Sequence, residues 1–180
     1  MKIVQGWLSD IERIESPNAD PRPSPDDISL LVIHNISLPP EQFGGGYIGQ
    51  LFSNCLDPTQ HPYFREIHQL KVSAHLLIDR VGKLTQFVAF DKRAWHAGIS
   101  QFEGRSCCND FSIGIELEGA DQIPYTEAQY TALSQVTKLL IDHYALITVE
   151  RIVGHSDIAP ERKTDPGPAF NWHKFRKLLP

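Results

Sequence analysis

The chain has 180 residues, 41% of them apolar and 22% charged, with 13 prolines and 12 glycines, the balance of an ordinary globular protein long enough for one domain, 1–180, with a full core. A net charge of −5, an isoelectric point near 5.9 and no run of Lys or Arg longer than two residues argue against a nucleic-acid partner. No window approaches the ~18 apolar residues of a membrane span, and the opening stretch MKIVQGWLSDIERIESP, broken by Gly6 and Asp10, lacks the apolar centre of a secretory signal. Cys55, Cys107 and Cys108 make an odd count with no framework spacing, so the expected setting is a reducing cytoplasm and the default expectation a monomer.

In chain order, residues 16–27 form a Pro/Asp/Ser loop, and SLLVIH, residues 29–34, reads as a buried strand. Pro39, Pro40 and Gly44–Gly46 mark a loop over 37–46, with short helices near 47–54 and 61–69. Residues 73–80 and 84–90 read as two strands joined through DRVGK. SIGIELE, residues 112–118, alternates: Ile113, Ile115 and Leu117 on one face, Gly114, Glu116 and Glu118 on the other, which is the pattern of a strand with one wet side. Residues 126–145 predict the longest helix, opened by a Thr126/Gln129 capping box and carrying Tyr130, Leu133, Thr137, Leu140, Ile141 and Tyr144 at helical spacing. A short strand over 150–154 and a closing helix over 171–179 complete an α+β chain with a mixed central β-sheet flanked by helices.

The chemistry-bearing residues sit at the ends of these elements. His34 closes an apolar strand and His155 closes RIVGH, where Gly154 admits a close neighbour. Asp165 follows in TDPGP, stiffened by Pro166 and Pro168. Each is also compatible with a plain structural role, but two histidines and a carboxylate are a common catalytic zinc set. Glu116 is either a wet-face carboxylate or, with space beside Gly114, a general base. Lys163 is a solvated lysine or, on the face of Asp165, an oxyanion partner. Trp95 and His96 in RAWHAG either line a groove or anchor the core, and His75 among apolar neighbours reads as a hydrogen-bonded strand histidine. Cys107 and Cys108 have no partner base nearby, which disfavours a thiol hydrolase.

The stretches LLVIHNISLPP, FGGGYI, VSAHLLIDRVGKLTQFV, RAWHAGIS, CNDFSIGIELEG and VGHSDIAPERKTDPGPAF, in that order over nearly the whole chain, resemble the zinc-dependent N-acetylmuramoyl-L-alanine amidases. That family is related to phage lysozyme-like amidases and peptidoglycan recognition proteins, and the likeness is to its cytoplasmic branch acting on 1,6-anhydro-N-acetylmuramyl peptides. The resemblance implies the amidase/peptidoglycan-recognition-protein-like fold and one zinc ion (Zn2+), held by His34, His155 and Asp165. It implies that Glu116 activates a water, that Lys163 steadies the transition state and that Asn35, Trp95 and His96 lie near the substrate. It further implies an anhydro-muropeptide substrate cut at the lactyl–L-alanine amide in cell-wall recycling, with an influence on β-lactamase induction. Many phage relatives place a cysteine where this chain has Asp165. Relatives carry an arginine at the position of Cys107, suited to a peptide carboxylate, and Arg105 or Lys71 is the expected replacement. Two other classes remain: a muropeptide-binding module without turnover, and an exported amidase acting on intact wall.

Overall fold

The computed structural model describes all 180 residues. Its main sheet has six strands: β1 Glu12–Arg13, β2 Leu30–Ile36, β3 Leu76–Ile78, β4 Leu84–Gln86, β5 Ser112–Glu118 and β6 Ile152–Gly154. They lie in the order β6-β2-β5-β3-β4-β1. The first four are mutually parallel, β4 runs antiparallel to β3, and β1 is parallel to β4. The helices are α1 Tyr47–Phe52, α2 Phe64–Ile67, α3 Glu127–His143, α4 His155–Ile158 and α5 Trp172–Arg176. This is the mixed α+β arrangement that the alternation of elements predicts. No helix is long and apolar enough to cross a membrane.

The central strand β5 departs from expectation. Its Ile113, Ile115 and Leu117 pack with Tyr130, Leu133, Val136 and Leu140 of α3. The opposite face, expected to be wet, is closed too, with Glu116 9% and Glu118 6% exposed. A strand with parallel neighbours on both sides is ordinarily covered on both faces. Here the second cover begins at Gly114, where a Cβ would lie 2.5 Å from His96 Cγ. Glu118 is satisfied inside, accepting from the N–H groups of Gly44 (2.7 Å) and Arg80 (3.3 Å) and so tying down the glycine-rich loop.

The capping box forms as the sequence predicts: Gln129 N–H donates to Thr126 Oγ1 and Thr126 N–H to Gln129 Oε1, both at 3.1 Å. Gln129 Nε2 also donates to Glu118 O at 2.9 Å, so one residue starts α3 and docks it on the end of β5. On the other side, α1 and α2 contribute Leu51, Phe52 and Phe64 to a second cluster with Leu38, Ala74 and Phe87. This cluster forms the apolar wall of the groove described below.

The strands expected over 73–80 and 84–90 shorten to 76–78 and 84–86 because side chains take over the backbone there. Ser73 Oγ accepts from Trp95 N–H (3.0 Å), and Gln86 spans Leu8 N, Gly6 O and Val88 O. His75 Nδ1 accepts from Gly114 N–H at 3.0 Å. Behind His75 lies Arg22, 4% exposed, whose guanidinium donates to the carbonyls of Phe90, Asn109, Asp110 and Ser112 and stands 3.1 Å from His75 Nε2. Burial pulls the Arg22 pKa down to about 10, which leaves it charged at neutral pH.

Burial first, and the Arg22 charge second, lower the His75 pKa from 6.5 to about 3. Between those values the unfolded chain binds a proton that the folded chain refuses. The contribution is therefore complete above pH 6.5 and is lost as pH falls toward 3, by about 1.4 kcal/mol per pH unit for one such group. His75→Gln, whose amide oxygen can still accept from Gly114, should flatten the acid limb of stability by one proton's slope, read by urea unfolding at a series of pH values.

Candidate active site

Strand register assembles the site. His34 in β2 is paired with Glu116 in β5, and Gly154 at the end of β6 is paired with Ile33, one residue before His34. His155 follows as the first residue of α4. Three adjacent parallel strands thus deliver His155, His34 and Glu116 at one level near their carboxyl ends, where open parallel sheets commonly place ligands.

Asp165 reaches the same level on the proline-rich arm. Gly154 is required here because a Cβ would lie 2.7 Å from Pro166 Cδ. Ser156 N–H donates to Asp165 O (2.9 Å), Tyr125 OH to Pro166 O (2.8 Å) and Ala169 N–H to Asp121 O (2.9 Å). Gly167 turns at φ +78°, and a Cβ there would come within 2.3 Å of Asp121 Cα. The arm is held on both sides of the carboxylate, so its direction is built in before any ligand arrives.

The result is a triangle. His34 Nδ1 lies 2.9 Å from His155 Nδ1 and 3.0 Å from Asp165 Oδ2, and His155 Nδ1 lies 3.1 Å from Asp165 Oδ2. The opposite ring nitrogens define the tautomers. His155 Nε2 is 3.1 Å from Ala97 O, which can only accept, so its proton is on Nε2 and its Nδ1 presents a lone pair. His34 Nε2 is 2.9 Å from His96 Nδ1 and has the same assignment available. Burial lowers the His34 pKa to about 4, keeping the ring neutral. Asp165 Oδ2 supplies the carboxylate corner, facing the two imidazole Nδ1 atoms. Two neutral imidazoles and one carboxylate are the donor set of a catalytic zinc site, and the observed edges approach the roughly 3.3 Å ligand separation of a tetrahedral zinc ion. The residues fit a metal.

Glu116 stands beside this triangle with Oε2 buried and without a hydrogen-bond partner. Burial raises its pKa well above the carboxylate range, Asp165 adds to the rise and Lys163 opposes it. Glu116, Lys163 and the three side chains of the triangle line one groove of about 360 Å³ together with Asn35, Trp95 and His96. Its far end is apolar, with Leu38, Leu51, Tyr63, Ile67 and Leu70.

The family model for N-acetylmuramoyl-L-alanine amidase matches residues 24–168. The chain belongs to that amidase family. The 1,6-anhydro-N-acetylmuramyl-L-alanine amidase AmpD of Haemophilus influenzae is 58% identical over 96% of this chain and 94% of its own length. A crystal structure of an AmpD selenomethionine derivative superposes with a TM-score of 0.97 at 56% identity, covering 100% of both chains. The N-acetylmuramyl-L-alanine amidase AmiD from Escherichia coli, solved with anhydro-N-acetylmuramic acid-L-Ala-D-γ-Glu-L-Lys as substrate, superposes with a TM-score of 0.62 at 31% identity, over 92% of this chain and 60% of AmiD.

Within the amidase groove the remaining expected residues divide. Asn35 is half-buried and its Nδ2 donates to Asp121 Oδ1 at 2.8 Å, while half-buried Trp95 lines the wall. His96 lines the groove but spends both ring nitrogens on protein, Nδ1 on His34 and Nε2 on Ser112 Oγ at 3.1 Å. Arg105 and Lys71, expected to meet a peptide carboxylate, are not brought in. Arg105 is exposed, paired with Asp27 at 2.6 Å and laid 3.9 Å over the Phe111 ring. Lys71 is exposed and outside the lining, although Leu70 and Val72 on either side belong to it. Cys107, also exposed, opens instead on a separate concavity of about 650 Å³ beside residues 98–101 and 158–162. Asn109, Ser112 and the Ala97 carbonyl escaped the sequence reading; a carbonyl has no side-chain signature, and no spacing links residues 109 and 112 to His96.

Asp165→Ala removes one corner of the triangle. Metal affinity should fall by more than about 100-fold, the upper end for loss of a mere outer partner, as read by metal content after gel filtration.

Proposed function

We propose that this amidase hydrolyses the amide between the lactyl group of 1,6-anhydro-N-acetylmuramic acid and L-alanine, using one zinc ion on His34, His155 and Asp165. The observation that carries this reading is the three-atom triangle with an unpartnered, buried Glu116 carboxyl beside it. The named activity of the Haemophilus influenzae relative and the substrate in the AmiD complex support the choice of an anhydro-muropeptide. On the same reading one domain, 1–180, carries the reaction as a monomer in the cytoplasm, with no nucleic-acid or membrane partner. It recycles wall fragments, and loss of activity raises inducible β-lactamase through accumulated muropeptide.

Zinc, when bound, supplies Lewis-acid polarisation of the amide carbonyl and activation of a water nucleophile. Glu116, which a cation held in the triangle would favour as the carboxylate, would take the proton of the attacking water and return it to the departing L-alanine nitrogen. Lys163 places an ammonium in the groove where negative charge grows on the former carbonyl oxygen. Asn35 and Trp95 flank the bond to be cut, and the apolar end at Leu38, Tyr63 and Leu70 excludes water around the rest of the ligand. Asp165, as a ligand of the cation, would stay ionised, so the two carboxyl groups of the site do not compete for one proton.

Purified protein with anhydro-N-acetylmuramyl-tripeptide should release free tripeptide, lose that activity to a chelator and regain it with zinc, read by mass spectrometry. Intact substrate from folded, zinc-loaded protein would instead favour the binding module. Glu116→Ala should keep its zinc while kcat falls by about 10²–10⁴; a near-full rate would remove Glu116 from the mechanism.

A further inference from the structure

The two metal histidines come from different elements, His34 from β2 and His155 from the start of α4, yet their outward ring nitrogens meet two consecutive residues. His34 Nε2 lies 2.9 Å from His96 Nδ1, and His155 Nε2 lies 3.1 Å from Ala97 O. Residues 96 and 97 are in turn fastened by one atom. Asn109 Oδ1 accepts from both His96 N–H (3.1 Å) and Ala97 N–H (2.8 Å). The Asn109 carbonyl is itself held by buried Arg22 at 3.1 Å.

The His96 ring has little freedom. Its Nε2 meets Ser112 Oγ at 3.1 Å, and Gly114 leaves the space it fills, since any Cβ there would strike its Cγ and Nδ1 at 2.5 Å. A lone pair on His34 Nδ1, which metal ligation through that atom requires, sets the direction of the chain: His34 Nε2–H donates to His96 Nδ1, and His96 Nε2–H donates to Ser112 Oγ. Ala97 O, which also accepts from Arg162 Nη2 at 2.6 Å, enforces the same tautomer on His155. Histidines that bind metals are ordinarily oriented through their second nitrogen, and loss of that partner costs about 10–100-fold in metal affinity.

We propose that the His96–Ala97 segment, clamped by Asn109 and cleared by Gly114, is the shared outer support of both metal histidines, and that His96 and Asn109 are positioning residues for them. This rests on the reading of His34, His155 and Asp165 as the metal site and deepens it. His96 then acts through His34 and not by touching the substrate, and one side chain, Asn109, sets both imidazoles at once.

The test uses the full chain. Zinc affinity is measured by competition with a chromogenic chelator, the ligand field by the visible spectrum of the cobalt-loaded protein, and folding by thermal unfolding of the metal-free form. His96→Phe and Asn109→Ala should each weaken zinc binding about 10–100-fold and alter the cobalt spectrum. His96→Gln, whose amide oxygen can accept from His34 Nε2, should recover most of the affinity. In the double variant the two losses should fall short of additive, because they act on one support. Nitrogen-15 spectra of the metal-free protein should show His34, His96 and His155 all protonated at Nε2. Zinc affinity within about twofold of the parent in both single variants would overturn the proposal, as would no recovery with Gln or a His34 proton on Nδ1. Losses that merely follow a drop in metal-free melting temperature would also overturn it. If the unaltered chain takes up no zinc, the metal reading itself fails; uptake with unaffected variants sinks this inference alone.

Discussion

Three lone-pair atoms, one of them carrying a full negative charge, are held 2.9–3.1 Å apart in a buried groove at His34, His155 and Asp165. Such crowding is unfavourable by itself and becomes favourable with a cation between the atoms, so every neighbouring element has to hold it in place. The parallel register of β2, β5 and β6 sets the level of two histidines. The proline-rich arm, docked against Gly154 and hydrogen-bonded on both sides of Asp165, brings the third atom. The N–H partners of residues 96 and 97 decide which face of each imidazole is available. Binding energy at the metal is thereby not spent on ordering the ligands.

The same groove holds two carboxyl groups in different surroundings. Asp165 Oδ2 faces the Nδ1 lone pairs of two histidines across the triangle. Glu116 is buried with an oxygen that accepts from nothing, and Asp165 nearby adds repulsion, so its proton affinity is raised while no cation fills the triangle. On the proposed reading, the work is divided between a carboxylate that holds the cation and one that exchanges a proton during turnover. Glu118, two residues along the same strand, shows the contrast: with backbone N–H groups to accept from, it becomes a structural tie for the glycine-rich loop.

Much of the frame was readable in one dimension. Strand 112–118 and the Thr126/Gln129 helix start were legible because their signals are local: side-chain period and a hydrogen-bonding pair three residues apart. The burial of the Glu116 face was not legible, because what covers it comes from residue 96 and the groove loops. The ends of the shortened strands depended on Ser73, His75 and Gln86 bonding to distant backbone. Arg105 and Lys71 show the limit for charge: a cation near the right motif was drawn to Asp27 and Phe111 in one case and left at the surface in the other.

The sequence by itself determined the fold class, the chemical types at the site and the stiffness of the segment that carries Asp165, because periodicity, residue chemistry and proline are properties of the chain. Tertiary structure alone decided which nitrogen of each histidine faces the triangle, which carboxyl has the raised proton affinity and which cations reach the groove. Those outcomes turn on angstrom-scale contacts between residues far apart in sequence, such as His34 with His96 and His155 with Ala97. Hydrogen bonding and burial act through distance in space, which no spacing along the chain encodes.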